Sequence, residues 1–301
     1  MPRVVFVIAP DVHLLDVAGP AQVLSAAAEL GAPYELRFVG PTAGVTSFQG
    51  LPLAVDRQLP TLTADDWLLV PGWKVRRPVR PPTLTAELLQ ALADHHAGGG
   101  LVGSICAGAF ALGAAGLLDD RRCTTHHDVQ EELQRRHPRA RVERDRLFVI
   151  DGNVVSSAGI ASGIDLALEL VARHDGPALA ARVARSLVVY GRRNGDAAQL
   201  GTMLRHRDHL RETVHRAQDM IDAEFSRALP LAEVAAVAGV SPRTLTRAFV
   251  DATGMTPLRY QQTLRVERAE LLLAQGATVE SAAHTVGFDD ARMLRRLRSR
   301  D

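Results

Sequence analysis

Leu101-Val-Gly-Ser-Ile-Cys-Ala-Gly-Ala-Phe110 is the stretch that decides the fold. Leu101–Ile105 reads as a buried strand, and at Cys106 the chain turns abruptly into an alanine-rich helix. Strand signals lie upstream at 3–8, Tyr34–Val39 and Asp66–Val70, the last closed by Pro71-Gly72. Helical patterns cover 16–30 and Thr83–Ala97. Downstream come short β segments near 147–155 and helices near 160–174 and 177–190. Strands alternating with helices predict a flavodoxin-like parallel sheet with helices on both faces.

The pattern breaks at Tyr190-Gly-Arg-Arg-Asn-Gly-Asp196. This polar, glycine-containing stretch predicts a linker over 191–210, between an α/β domain at 1–190 and an all-α domain at 211–301. A length of 301 residues fits two domains. No apolar run approaches the 18 residues of a membrane span. The start enters a strand directly, with no secretory signal, and two cysteines make no disulfide framework. These features predict a cytoplasmic protein with no membrane contact.

The net charge of +1 conceals an asymmetry. Residues 1–190 carry 18 basic and 20 acidic side chains, and residues 191–301 carry 17 and 14. A basic C-terminal end fits nucleic-acid contact. Lys74 is the only lysine, and every other basic residue is arginine. A GC-rich genome explains that bias as well as phosphate or guanine recognition does.

An internal repeat organises the C-terminal part. Leu231–Val240 reads as a short helix ending at Gly239. Ser241-Pro242 then caps and starts a second helix, running from Arg243 to about Ala252 with Leu245 and Phe249 facing inward. Shifted by 48 positions, Val279, Ala282 and Ala283 repeat Leu231, Val234 and Ala235. Gly287-Phe288 repeats Gly239-Val240, Asp289 stands in for the Ser241 cap, and Met293, Arg295 and Leu297 repeat Leu245, Arg247 and Phe249. Two helix-turn-helix motifs are therefore predicted, joined by a long helix over Pro257–Ala274. Two recognition helices on one DNA face need a spacing near ~34 Å. The candidate DNA-contacting residues are Ser241, Arg243, Thr244 and Arg247 on the first, and Arg292, Arg295 and Arg296 on the second, with Arg298 and Arg300 nearby.

The stretches 238–249, 254–260 and 282–288 resemble the AraC family of regulators. The likeness covers about residues 211–301 and implies double-stranded DNA as partner. Family members continue past the second recognition helix into a further short helix with a Pro and a Tyr-Arg pair, which this sequence does not carry before Asp301.

Cys106 at a strand-to-helix turn receives helix N–H groups, which predicts a lowered thiol pKa. A buried, inert cysteine is the alternative. Residues 1–190 resemble the ThiJ/PfpI group, related to class I glutamine amidotransferases, and most closely its GlxA-like branch fused to AraC-type domains. The likeness rests on Leu14–Pro20, Ser104–Phe110, Ala114–Leu118, Thr124–His126, Ser157–Ile160 and Gly163–Asp165. It implies that Asp16 contacts Cys106, that His126 lies nearby, and that the protein is a homodimer. Peptidase-like relatives carry a histidine after the cysteine, and isonitrile hydratases a hydroxyl residue; here it is Ala107. Relatives often show a glycine pair where this chain has Gly72-Trp73.

The resulting expectation is a ligand-responsive DNA-binding regulator rather than an enzyme. A small polar or nitrogen-containing effector would lie near Asp16, Gly72, Cys106 and His126, with no cofactor. The alternatives are a cysteine-dependent hydratase or amidase-like enzyme using Cys106, and a redox sensor at the same thiol. His126-His127-Asp128 reads as structural or pocket-lining rather than metal-binding, because adjacent helical histidines diverge. His95-His96 is explained by a helix end, and Cys123 has no motif of its own.

Overall fold

The computed structural model describes residues 2–75, 84–189, 195, 199, 206–207, 209–274 and 276–298. The chain divides into two compact units, 1–199 and 200–301.

In the first unit, β1 (Arg3–Val7), β5 (Trp67–Val70), β6 (Leu101–Ile105) and β10 (Val154–Ser157) are almost wholly buried. Such near-continuous burial requires cover on both faces. α1 (Leu14–Glu29), α5 (Ser162–Asp175) and α6 (Pro177–Ser186) pack together, while α2 (Ala86–Ala97) and α3 (Ala109–Ala114) pack on each other and α2 on β6. With β2 (Glu35–Val39) and β9 (Phe148–Asp151) the sheet order is β2-β1-β5-β6-β10-β9. The sheet is mixed, not purely parallel: β9 runs antiparallel to β10 in a hairpin through Gly152, which takes φ +62°. Two small sheets escape the strand patterns of the sequence because they are only two or three residues deep: β3 (Gly44–Thr46) with β4 (Pro52–Ala54), and β7 (Arg122–Cys123) with β8 (Arg141–Val142). A short α4 (Gln130–Arg136) follows β7.

The strand order reverses at β1, flanked by β2 on one side and β5 on the other. Open α/β sheets bind ligands outside the carboxyl ends of their strands at such a point. The chain leaving β1 supplies His13, that leaving β5 supplies Gly72–Lys74, that leaving β6 supplies Cys106, and that leaving β10 supplies Gly159 and Ile160. Their loops are tied together. Val12 and Trp73 form an antiparallel bridge, His13 N donates to Gly72 O (2.9 Å), Lys74 N to Asp11 O (2.9 Å), and Phe48 N to Val12 O (2.9 Å).

The second unit is helical throughout its described residues. It comprises α7 (Glu212–Glu224), α8 (Leu231–Val237), α9 (Pro242–Thr253), α10 (Pro257–Ala274), α11 (Val279–Thr285) and α12 (Ala291–Arg298). Two small cores form along α10. Val234, Ala235, Leu245, Phe249, Tyr260 and Leu264 belong to the first, and Val266, Ala269, Ala282, Ala283, Leu294 and Leu297 to the second. Arg265 joins them: its guanidinium donates to Phe225 O (2.7 Å), Arg227 O (2.8 Å) and Gly287 O (2.6 Å), and lies over the Phe288 ring.

Of the expected linker, Gly195, Gln199, His206, Arg207, His209 and Leu210 are described and the others lie outside the described residues. Gly195 and Gln199 are part of the first unit. Leu147 N donates to Gly195 O (3.0 Å), and the buried Gln199 amide donates to Thr125 O and Arg146 O (2.9 Å each). Arg207 is held in the second unit by Asp222 (2.6 Å) and Asp219 (2.8 Å).

Candidate functional site

Cys106 adopts φ +55°, a region β-carbon sterics disfavour. It opens a 3-10 turn (Cys106–Gly108), not the α-helix that the sequence suggests, and α3 begins only at Ala109. Three glycines make this turn possible. A Cβ on Gly108 would stand 1.9 Å from Val70 O, one on Gly159 2.1 Å from Cys106 Cβ, and one on Gly72 2.6 Å from Cys106 Cβ. The strained residue is fixed by its surroundings, as strained active-site backbones are.

Asp16, in the first turn of α1, is fully buried behind it. Its Oδ1 accepts from Ile160 N (2.5 Å), and Oδ2 is buried without a well-aligned donor, beside the Cys106 thiol and the Gly72 amide. Burial raises the carboxyl from 3.8 to about 6, against the opposing hydrogen bonds. The thiol is pushed well above its ordinary value, first by burial and then by the Asp16 charge. The expected lowered pKa is thus overturned: one amide, that of Ala107, favours the thiolate, and burial plus a buried carboxylate outweigh it. At neutral pH the pair holds a protonated thiol against a carboxylate.

Cys106 lines a cleft of about 830 Å³ together with His13, Trp73, Lys74, Ala107, His126 and Ile160 among others. Of the four residues expected at the pocket, Cys106 and His126 line it, whereas Asp16 and Gly72 sit behind Cys106 and shape it. Thr125 Oγ1 donates to Cys106 O (2.7 Å), which fixes the segment carrying His126. His126 is half-buried, and burial lowers its pKa, helped by His127 and His13; the Asp128 charge opposes this. The imidazole is therefore mostly neutral at pH 7.

The His126 and His127 rings pack 4.2 Å apart rather than diverging. They stand on a turn, with Asp128 N donating to His126 Nδ1 (3.3 Å), and not on a regular helix. With Asp128 they place ligand-type atoms within 4.8 Å of one another, the group among the described residues best able to hold a cation. Cys106 and Cys123 are both free. His95 is buried, with Nε2 at 2.9 Å from Asp66 O and Gly100 against its ring, so it has a structural partner beyond the helix end.

In the second unit, Gly239 takes φ +72° and Gly287 φ +87°, as the repeated turn requires. Ser241 caps α9 by accepting from Thr244 N (3.2 Å), with Pro242 in the first turn. The cap of α12 is Asp290 and not Asp289: Asp290 Oδ1 accepts from Arg292 N (2.6 Å) and Met293 N (3.2 Å). The helix starts one residue later in the second copy, so that Leu294 rather than Met293 fills the buried place of Leu245, while Leu297 keeps that of Phe249.

Arg243 and Arg247 are exposed on α9 and have no carboxylate partner among the described residues. Thr244 is exposed as well, its hydroxyl bonded to Ser241. On α12, Arg292, Arg295 and Arg296 are exposed, but Arg295 is paired with Glu280 (2.9 Å), and Arg298 with Glu270 (3.3 Å). Arg300 lies outside the described residues. Sequence reasoning passed over His13, Gln199 and Arg265. The solitary lysine, noted but unassigned, was the available signal for the cleft.

Two family models match the chain: the DJ-1/PfpI family over residues 2–173 and a helix-turn-helix domain over residues 234–300. The HTH-type transcriptional regulator GbdR of Pseudomonas aeruginosa is 30% identical over 81% of the chain. The chain spans 65% of that relative's length. An isonitrile hydratase of Pseudomonas putida is 33% identical over 55% of the chain and 68% of the enzyme. The crystal structure of an AraC family transcriptional regulator from Pseudomonas putida aligns with 62% of the chain and all of its own, at TM-score 0.54 and 28% identity. No helix among the described residues is long and apolar enough to cross a membrane.

Proposed function

The chain belongs to the DJ-1/PfpI family, and from that premise we propose that it is a sequence-specific, DNA-binding transcriptional regulator whose first unit holds a small-molecule effector. The observation that carries the reading is on α9. Arg243 and Arg247, one helical turn apart behind a serine cap and a glycine turn, are exposed and paired with no carboxylate among the described residues. Free arginines there are suited to guanine edges or phosphates. The protein works as a cytoplasmic homodimer in this reading, and its cleft is a binding site without turnover, since Ala107 supplies neither the histidine nor the hydroxyl that enzymatic relatives carry after the cysteine.

Effector binding changes DNA affinity only if it favours one arrangement of the protein over another. Gln199 is the described residue best placed to report on the cleft. It binds Thr125 O, next to the cleft residue His126, at the end of the first unit. A Gln199→Ala variant is expected to bind its promoter normally while losing most of the wild type's effector-dependent change in reporter expression. An undiminished response would remove Gln199 from the route.

The test of the reading is fluorescence anisotropy of the full chain on DNA upstream of its own coding sequence, across a salt series. Submicromolar binding that persists at moderate salt supports it; weak binding erased by salt overturns it.

The Asp16–Cys106 pair favours a second reading, a cysteine-dependent hydratase or amidase-like hydrolase. Turnover of isonitriles or small amides, lost in Cys106→Ser, would establish it.

A further inference from the structure

The cleft contains the sole lysine of a chain with 35 basic side chains. Whatever bias made every other one arginine did not act at position 74. Lysine differs from arginine in offering a compact point charge with three donors on a flexible stem. Lys74 is positioned rather than loose. Its backbone N–H is bound by Asp11 O (2.9 Å), and its Nζ lies 5.1 Å from the centre of the Phe48 ring, against which His13 packs edge-on at 5.2 Å.

Charge balance distinguishes it further. Among the described residues, the cleft is lined by four cations (Lys74, Arg135, Arg136 and Arg144) and three carboxylates (Asp128, Glu131 and Glu132). Glu132 binds Arg135 and Arg136 (2.6 Å each), Glu131 reaches Arg144 (3.7 Å), and Asp128 sits between His126 and His127. Lys74 has no carboxylate partner among the described residues. His13 and His126 do not add charge, because burial holds both below their ordinary value, and Lys74 contributes to that at His13. A neutral imidazole still offers one N–H.

We propose that the cleft binds a small organic carboxylate, held by Lys74 Nζ with the His13 and His126 imidazoles beside it. Four cations against three carboxylates leave the described lining one positive charge in excess, which matches a single negative charge. A phosphate dianion would leave one charge uncompensated in a half-enclosed site. The inference rests on the effector reading only in taking the cleft as a ligand site, and none of its measurements involves DNA.

The lone lysine makes the test direct. Reductive ¹³C-methylation of the full chain labels two amines, Lys74 and the N-terminus, and preserves their charge. Lys74→Arg removes one signal and so assigns it. The labelled protein is titrated at constant ionic strength with acetate, succinate and glycine, with acetamide, succinamide, methylammonium and inorganic phosphate as controls. The expected result is a saturable shift of the Lys74 signal with at least one carboxylate and none with its amide. In unlabelled protein, calorimetry should show that carboxylate binding about tenfold weaker in Lys74→Gln and largely retained in Lys74→Arg. Lys74 is exposed, so neither substitution threatens folding. No shift with any carboxylate, equal shifts with the amides, or a response confined to phosphate or methylammonium would overturn the proposal. Carboxylate binding by a chain that fails to bind DNA would leave it standing and sink the regulator reading instead.

Discussion

Two turns present the side chains that matter, and they are built on opposite principles. At Gly239–Ser241 every local rule is obeyed. Glycine takes the positive φ, a Cβ there would meet nothing within 4 Å, serine caps, and proline stands in the first turn. At Cys106 the rules are broken together: a non-glycine residue at φ +55°, a thiol buried beside a buried carboxylate, and neighbouring glycines with no room for a methyl group. The first turn is stable by its own sequence. The second exists only because β5, β6, α1 and the Gly159 loop converge on it. Rule-breaking of this kind concentrates at functional sites.

The largest expected effect is at the constrained turn. Gly159→Ala adds a methyl group 2.1 Å from Cys106 Cβ at a backbone φ of +84°. It should lower stability by about 4 kcal/mol or more in urea unfolding. A loss near 1 kcal/mol would mean the turn relaxes freely and the contrast is false.

Asp16→Asn sharpens the same contrast with the opposite sign. Well below pH 3.8 the carboxyl is protonated both folded and unfolded, so its burial carries no ionisation cost. As pH rises through about 6 the buried group ionises, and the stability that came from the protonated form is lost. The variant should therefore be more stable than wild type by about 2 kcal/mol at pH 7. The gap should close between pH 6 and pH 4, and a gap independent of pH would contradict the burial argument.

On the open side, Arg243→Ala or Arg247→Ala should weaken promoter binding by about 1–2 kcal/mol, about five- to thirtyfold. Arg295→Ala should change it less than about threefold, because Glu280 already neutralises that guanidinium. Equal effects at the two helices would erase the difference between the modules. At the other turn, Gly239→Ala should cost far less in urea unfolding than Gly159→Ala, about 1 kcal/mol from φ alone.

The same contrast explains what could be read in advance. The second unit was legible almost to the residue, because its glycine turns, serine cap and alanine pairs are local signals. Its errors in the second copy, Asp289 for Asp290 and Met293 for Leu294, arose from carrying the repeat at a fixed offset of 48 where the helix starts a residue later. In the first unit the central strands were visible as buried runs. The antiparallel β9 edge and the two small sheets were not, since they depend on pairing between distant short segments. The Asp16–Cys106 contact followed from resemblance. The direction of the thiol pKa did not, because burial is a property of the assembled fold. The packed His126–His127 pair was missed for the same reason: a helix was assumed where Asp128 makes a turn.

The central claim is that α9 reads DNA sequence. The most direct test is the ratio of affinities for promoter DNA and for random-sequence DNA at one salt concentration, in wild type and in the Arg243→Ala/Arg247→Ala double variant. A wild-type ratio of about 10³ or more that collapses towards unity in the double variant is predicted. A wild-type ratio near unity, or a ratio the double substitution leaves unchanged, would contradict it.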